Sequence, residues 1–275
     1  MRQSLVIDCI DGSGSGTVSR LRQNGQTFGD RMLESRIPPQ KRVAIVQSSY
    51  IPWKGYFDLI RACDEFILLD DVQFTRRDWR SRNRVKTKDG LLWLTIPVHN
   101  KGRYHQPIQD VTVSDPAWGV RHWRTIRESY ARTPFFAAYA PIIEPLYLEP
   151  VSDRLSRINH SFITAICGIL DVTTRISWST DYQARDARNE RLVDLCRQAG
   201  ATDYLSGPSA RAYLDVDAFA AAGVTAHFVD YAGYPEYPQP YPPYEHAVSV
   251  LDLLFCAGPR ACEYMRPLCP LPSTA

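Results

Sequence analysis

A chain of 275 residues, 44% apolar and 23% charged, is long enough to bury a full core and short enough to be one domain with a tail. Its 32 basic and 30 acidic residues leave a net charge of +2, which excludes the one-signed surface that draws nucleic acid or an anionic membrane. There is no apolar run of about 18 residues to span a bilayer and no secretory pattern at the start, and the seven scattered cysteines match neither a disulfide framework nor a paired CxxC metal site. The expectation is a cytoplasmic protein with reduced, mostly buried thiols.

Residues 1 to 40 carry the run Asp11-Gly-Ser-Gly-Ser-Gly-Thr17 and end in Ile37-Pro-Pro-Gln40, and they read as a loosely attached extension to a domain spanning 41 to 275. The glycine run lacks the Lys-Ser/Thr pair of a P-loop and the spacing of a dinucleotide fingerprint. Val43-Ala-Ile-Val46 is the first buried strand. A loop from Gln47 to Gly55, a helix from Tyr56 to about Cys63 and a strand at Glu65-Phe-Ile-Leu-Leu69 complete a βαβ unit, a Rossmann-like start. Leu91 to Pro97 and Asp110 to Val113 read as further strands, and 117 to 131, 135 to 147 and 151 to 170 as helices. A strand at Thr174-Arg-Ile-Ser177, a helix over 185 to 199 closed by Gly200, and strands at Asp203-Tyr-Leu-Ser206 and Thr225-Ala-His-Phe-Val229 follow. Strands alternating with helices predict an α/β fold, a mostly parallel sheet with helices on both faces. The Pro/Tyr-rich text from Gly233 to Tyr244 forbids regular structure and predicts an extended strap, before a helix over 246 to 256 that stops at Gly258-Pro259.

Ligands of open α/β sheets sit outside the carboxyl ends of the strands, so the loop after the first strand is the first candidate site. It offers Gln47, Tyr50 and Trp53 beside Pro52 and Gly55, either as an aromatic-lined ligand turn or as a stiff cap on the core. The second strand ends in Asp70-Asp71, followed by Arg76, Arg77, Asp78, Arg80, Arg82, Asn83 and Arg84. Clustered arginines suit carboxylate or phosphate recognition; the alternative is an internal ion-pair network with no ligand.

These stretches carry a resemblance. The run Val43-Ala-Ile-Val-Gln-Ser-Ser-Tyr-Ile-Pro-Trp-Lys-Gly-Tyr-Phe-Asp58 and the run Leu69-Asp-Asp-Val-Gln-Phe-Thr-Arg-Arg-Asp-Trp-Arg-Ser-Arg-Asn-Arg-Val85 resemble the WbqC-like family, as do Trp93 to Val98, Tyr204 to Gly207, Ala212 to Asp215 and Ser249 to Phe255. The resemblance implies transfer of an acyl or aminoacyl group onto an amine, often that of an amino sugar, in polysaccharide or specialised-metabolite (antibiotic) biosynthesis. It also implies that Gln47, Tyr50, Trp53, Asp70, Asp71, Arg80 and Asn83 line the site. Two positions depart from the family pattern: Ser48 stands where proline is usual, and Cys256 where asparagine is usual.

A thiol at that position invites a nucleophilic reading: Cys256 accepts an acyl group from the thioester of an acyl or peptidyl carrier protein, His246 takes its proton, Gln47 assists, and a small-molecule amine resolves the acyl-enzyme. Ten residues of helix span about 15 Å, so His246 must precede the helix and fold back for this to work, and otherwise Cys256 is a small core residue. No cofactor is invoked, and no His/Cys/Asp spacing supports a metal. The rival readings are a nucleotidyltransferase-like enzyme, which lacks the His-x-Gly-His signature here, and a non-catalytic carrier or scaffold module docking through the Tyr/Pro strap.

Overall fold

The computed structural model describes residues 40–184 and 188–266. The expected N-terminal extension and its glycine run lie outside the described residues. Five strands, β1 (Arg42–Val46), β2 (Glu65–Leu68), β5 (Arg175–Trp178), β6 (Asp203–Ser206) and β7 (Thr225–Phe228), form one sheet in the order β5-β2-β1-β6-β7. Every pair in it is parallel. The chain builds outward from β1 through β2 to β5, then returns to the other side of β1 for β6 and β7. The direction therefore reverses between β1 and β6, the switch point at which doubly wound sheets open a crevice.

Alternation along β1 explains the two helical layers. Val43 and Ile45 pack with Ile67 and Tyr204 against Leu195 and Cys196 of α5 (Arg188–Gln198) and Phe219 of α6 (Val216–Ala221). Ala44, Phe66, Leu68 and Leu205 belong to the larger core on the opposite face. That face is covered by α1 (Lys54–Ala62), α4 (Leu155–Ile169) and α7 (Val250–Ala257), with α2 (Trp118–Tyr130) and α3 (Phe136–Leu148) packed behind them. The three expected central helices and the four sheet strands around β1 are present within a few residues of their expected bounds.

Two expectations change. Leu91 to Pro97 does supply a strand, β4 (Gly90–Thr95), but it pairs antiparallel with β3 (Arg82–Thr87) in a separate hairpin. The end of the Arg/Asn-rich segment is therefore a strand, in which Asn83 and Val85 are buried while Arg82 and Arg84 alternate with them. Asp110 to Val113 is not a strand: Ile108–Asp110 is a 3-10 turn after Pro107, and only single bridges, Val98 with Val113 and Thr112 with Arg154, follow it.

The Tyr/Pro segment is an extended strap, held by groups that prolines leave free to act. Tyr234 donates its hydroxyl to Asp58 at 2.6 Å, Tyr237 donates to Asp252 at 2.7 Å, and Lys54 donates to the Pro235 carbonyl at 3.0 Å. Lys86 donates to Gln239 at 2.7 Å and to the Pro243 carbonyl. Burial lowers the Lys54 amine to about 8, against the pull of Asp58 and Asp252.

As expected, α7 stops at Gly258, which adopts φ +57° where a Cβ would lie 2.3 Å from the Phe135 ring. Gly258→Ala is expected to cost about 2 kcal/mol or more, since both the left-handed backbone and the ring contact resist a side chain. Urea unfolding measures it.

Candidate active site

The turn after β1 is fixed from three directions. From the end of β2, Asp70 accepts the Ser48 N–H at 2.8 Å and, through its other oxygen, the Ser156 hydroxyl at 2.5 Å. From α4, Asn159 donates to the Ser48 hydroxyl at 3.1 Å and the Arg80 carbonyl at 2.9 Å. From β3, Asn83 donates to the carbonyls of Tyr50 at 3.1 Å and Ile51 at 2.9 Å, which holds Ile51 at φ +36°. Buried polar groups satisfied in this way specify one geometry.

Tyr50 points inward. It is fully buried, with its hydroxyl 2.8 Å from His122 Nδ1 and 3.2 Å from the Tyr147 hydroxyl. Burial depresses the His122 imidazole from 6.5 to about 4. Between those pH values the unfolded chain binds a proton that the folded chain refuses, so stability falls as pH falls from about 6.5 to about 4, by roughly 3 kcal/mol in all. Urea midpoints across that window should drop for the wild type and flatten for His122→Gln.

Around this frame lies a cleft with two lobes. The smaller, about 380 Å³, is mostly apolar, walled by Pro52, Trp53, Trp79 and Asn83, with His246 and Ala247 at its edge. The larger, about 810 Å³, opens at the carboxyl ends of β1, β2 and β6 and brings Gln47, Asp71, Gln73, Ser206, Ser209 and Tyr231 together. Val46, Trp53, Tyr56 and Arg80 line both. The Trp53 indole lies over Gly55, where a Cβ would sit 2.4 Å from the ring, and meets Tyr231 and Tyr234 edge-on. Glycine at 55 lets the indole close over the start of α1.

Arg80 donates to the Gln47 carbonyl at 3.1 Å and lies 3.7 Å from Asp78; its Nε is buried and has no hydrogen-bond partner among the described residues. A guanidinium at the junction of the lobes is suited to an anionic or polarised oxygen. Asp71, on the larger lobe, accepts the Ser179 hydroxyl at 2.6 Å and pairs with Arg191. Among the described residues no group of three or more His, Cys, Asp or Glu side chains is placed to hold a metal ion.

The expected site residues therefore divide. Gln47, Trp53, Asp71, Arg80, Asn83 and His246 line the cleft. Tyr50 and Asp70 line neither lobe: one belongs to the aromatic core and the other is consumed in holding the turn. Cys256 also lines neither lobe. It is 7% exposed and sits in the core, where burial and the nearby Asp252 carboxylate push its thiol well above the ordinary range. The N-terminus of α7 meets the turn, with the Val250 N–H donating to the Pro52 carbonyl at 2.9 Å, and His246 lies before that end. Cys256 is six residues further along the helix, about 9 Å away from it along the axis. His246 is exposed and contacts the Tyr244 ring, and no hydrogen bond joins it to Cys256. Sequence reasoning missed Tyr231, Arg191 and the Ser206-Gly207 turn; the signal was the position of β6, which becomes informative only once the strand order is known.

The sequence profile of the WbqC-like protein family matches residues 47–264, most of the chain. The chain belongs to the WbqC-like protein family. This WbqC-like chain is also similar to an uncharacterized protein of Mycobacterium tuberculosis, Rv1507c, at 48% identity over 226 residues, which is 82% of this chain and 98% of that protein. No solved structure matches. Among the described residues no helix of this WbqC-like chain is long and apolar enough to cross a membrane.

Proposed function

We propose that the chain is an amide-forming transferase that moves an acyl or aminoacyl group from a carrier-protein thioester to a small, amino-sugar-like amine, by direct attack within the two-lobed cleft. The carrying observation is the cleft itself. A transferase must hold two partners at once, and here an apolar lobe and a polar lobe meet at one cationic side chain, Arg80. The apolar lobe suits the acyl arm of the donor, and the hydroxyl and amide groups of Ser206, Ser209 and Gln73 suit a hydroxylated acceptor.

In this reading the acceptor nitrogen attacks the thioester carbonyl. The C–N bond forms, the C–S bond breaks, and the carrier leaves as a thiolate. His246 removes the proton from the attacking nitrogen and returns it to the departing sulfur. The Arg80 guanidinium, which lines both lobes, stabilises the carbonyl oxygen as negative charge gathers there. Trp53 and Trp79 narrow the water-accessible space around the carbonyl. Such chemistry belongs to the cytoplasm, in the assembly of a surface polysaccharide or a specialised metabolite.

The test is product formation: acylated or aminoacylated carrier proteins are incubated with a panel of amino sugars, and the amide is sought by mass spectrometry. His246→Ala is expected to slow the transfer by about 10²- to 10³-fold. Absence of amide with every donor and acceptor overturns the reading. A nucleotide-binding function is favoured by one observation, the polar lobe at the switch point of the sheet. Against it, the Trp53 ring covers the start of α1, where a phosphate would seek the helix N-terminus. Calorimetric titration with ATP and magnesium decides between them.

A further inference from the structure

Beside the cleft, on the other side of the segment that carries Arg80, lies a separate cavity of about 660 Å³. Arg76, Arg77 and Arg82 line it with Ser81, Asn100 and Ser114, and no carboxylate does. In a chain whose charges nearly cancel, three cations around one cavity are a local excess. The sequence left open whether this arginine cluster is an internal ion-pair network. The geometry answers: among the described residues none of these three makes an ion pair, whereas Arg80 has Asp78.

Arg82 is the most constrained of the three. Its guanidinium lies 4.1 Å from the centre of the Trp93 ring, and its Nε is buried with no hydrogen-bond partner among the described residues. A stacked guanidinium keeps its edge donors free for an in-plane acceptor while the ring fixes its orientation. Arg77 holds φ +59° next to it, an uncommon conformation for a side-chain-bearing residue, and so turns two consecutive arginines toward one cavity. Three cations that face one cavity with no carboxylate in its lining repel one another, a cost that a bound anion would offset. Strand alternation separates this site from the cleft: Arg82 lines the basic cavity and Asn83, the next residue of β3, lines the apolar lobe.

We propose that this cavity is an anion site that binds the phosphorylated end of a substrate, a diphosphate or phosphodiester group held by Arg76, Arg77 and Arg82. Two sources share that chemistry, a nucleotide-linked sugar and a pantetheine-phosphate thioester. Only the choice between these sources rests on the transferase reading; the anion site stands without it. Two charges on one small group match three guanidinium forks better than a single carboxylate does.

The full-length chain is titrated with inorganic pyrophosphate, followed by the fluorescence of its tryptophans, Trp93 and Trp79 being in or next to the arginine stacks. Saturable binding is expected, weakening steeply with salt, and at least tenfold weaker in Arg76→Ala/Arg77→Ala and in Arg82→Ala. The double variant Arg124→Ala/Arg132→Ala removes the same charge from an exposed face elsewhere and should leave binding unchanged. Competition by uridine diphosphate assigns the nucleotide source, and competition by coenzyme A the pantetheine source. Absence of saturation at millimolar pyrophosphate, equal weakening by the control variant, or pyrophosphate binding that neither competitor displaces would overturn the proposal. Because the readout is binding in folded protein, these outcomes stay distinct from failure to detect amide formation.

Discussion

Replacing Asp252 with leucine is expected to lower stability by about 3–5 kcal/mol. The carboxylate is fully buried, and its two oxygens accept hydrogen bonds from Tyr237 at 2.7 Å, Gln239 at 3.0 Å and Tyr130 at 2.8 Å. The Tyr130 hydroxyl in turn receives the Lys86 N–H at 2.9 Å, so one side chain of α7 gathers α2, β3 and the strap. Leucine leaves those donors buried without an acceptor and releases the strap that leads to His246. Burial already raises the Asp252 carboxyl above its usual range, and its three donors work against that rise. Asp252→Asn keeps an acceptor oxygen and should lose roughly 1–2 kcal/mol. Chemical unfolding of both variants measures the difference, and equal losses would show that the hydrogen-bond network is not what holds the region.

The second large effect concerns activity. Arg80→Ala is expected to reduce transfer by about 10²- to 10³-fold, the usual consequence of removing one donor to a developing oxyanion. Its effect on the fold should be small, under about 1 kcal/mol, because the Gln47 carbonyl that it contacts also accepts the Tyr56 hydroxyl at 3.1 Å and so keeps a partner. Arg80→Lys should recover little, since an ammonium cannot reproduce both the contact to Gln47 and the pairing of Nε with Asp78. Steady-state kinetics together with unfolding curves separate the two effects. A variant with normal rates would remove Arg80 from the chemistry.

Sequence reading succeeded where local pattern and tertiary environment agree. Val43-Ala-Ile-Val46 and Phe66-Ile-Leu68 lie in a parallel sheet covered on both faces, so their unbroken apolar text is also their structural signature. The prolines between Gly233 and Tyr244 announce a strap wherever it lies. The hairpin was harder to see, because β3 places arginines on its outer face, where stacking on Trp79 and Trp93 does the work that apolar residues usually do. Its alternation through Arg82-Asn83-Arg84-Val85 and the Asp89-Gly90 turn were the available signals.

The site was legible as a region but not residue by residue. Tyr50 and Asp70 belong to the same motifs as Trp53, Asp71 and Arg80, yet the first two build the turn and the others line the cleft, while Asn83 does both. Burial separates them, and burial depends on α2, α4 and β3 packing from elsewhere in the chain. Cys256 is the clearest instance. Its departure from the family pattern drew a chemical reading, while its position on α7 gives it the surroundings of a core residue.

Direct transfer in the cleft, without an acyl-enzyme, is the central step of the proposed function. Intact-protein mass spectrometry after mixing the protein with acylated carrier protein, on wild type and on Cys256→Ala, tests it most directly when run beside the amide assay. No acyl mass on the protein and undiminished product from Cys256→Ala are expected. An acyl adduct mapped to Cys256 that disappears when amine is added, with product lost in Cys256→Ala, would contradict it.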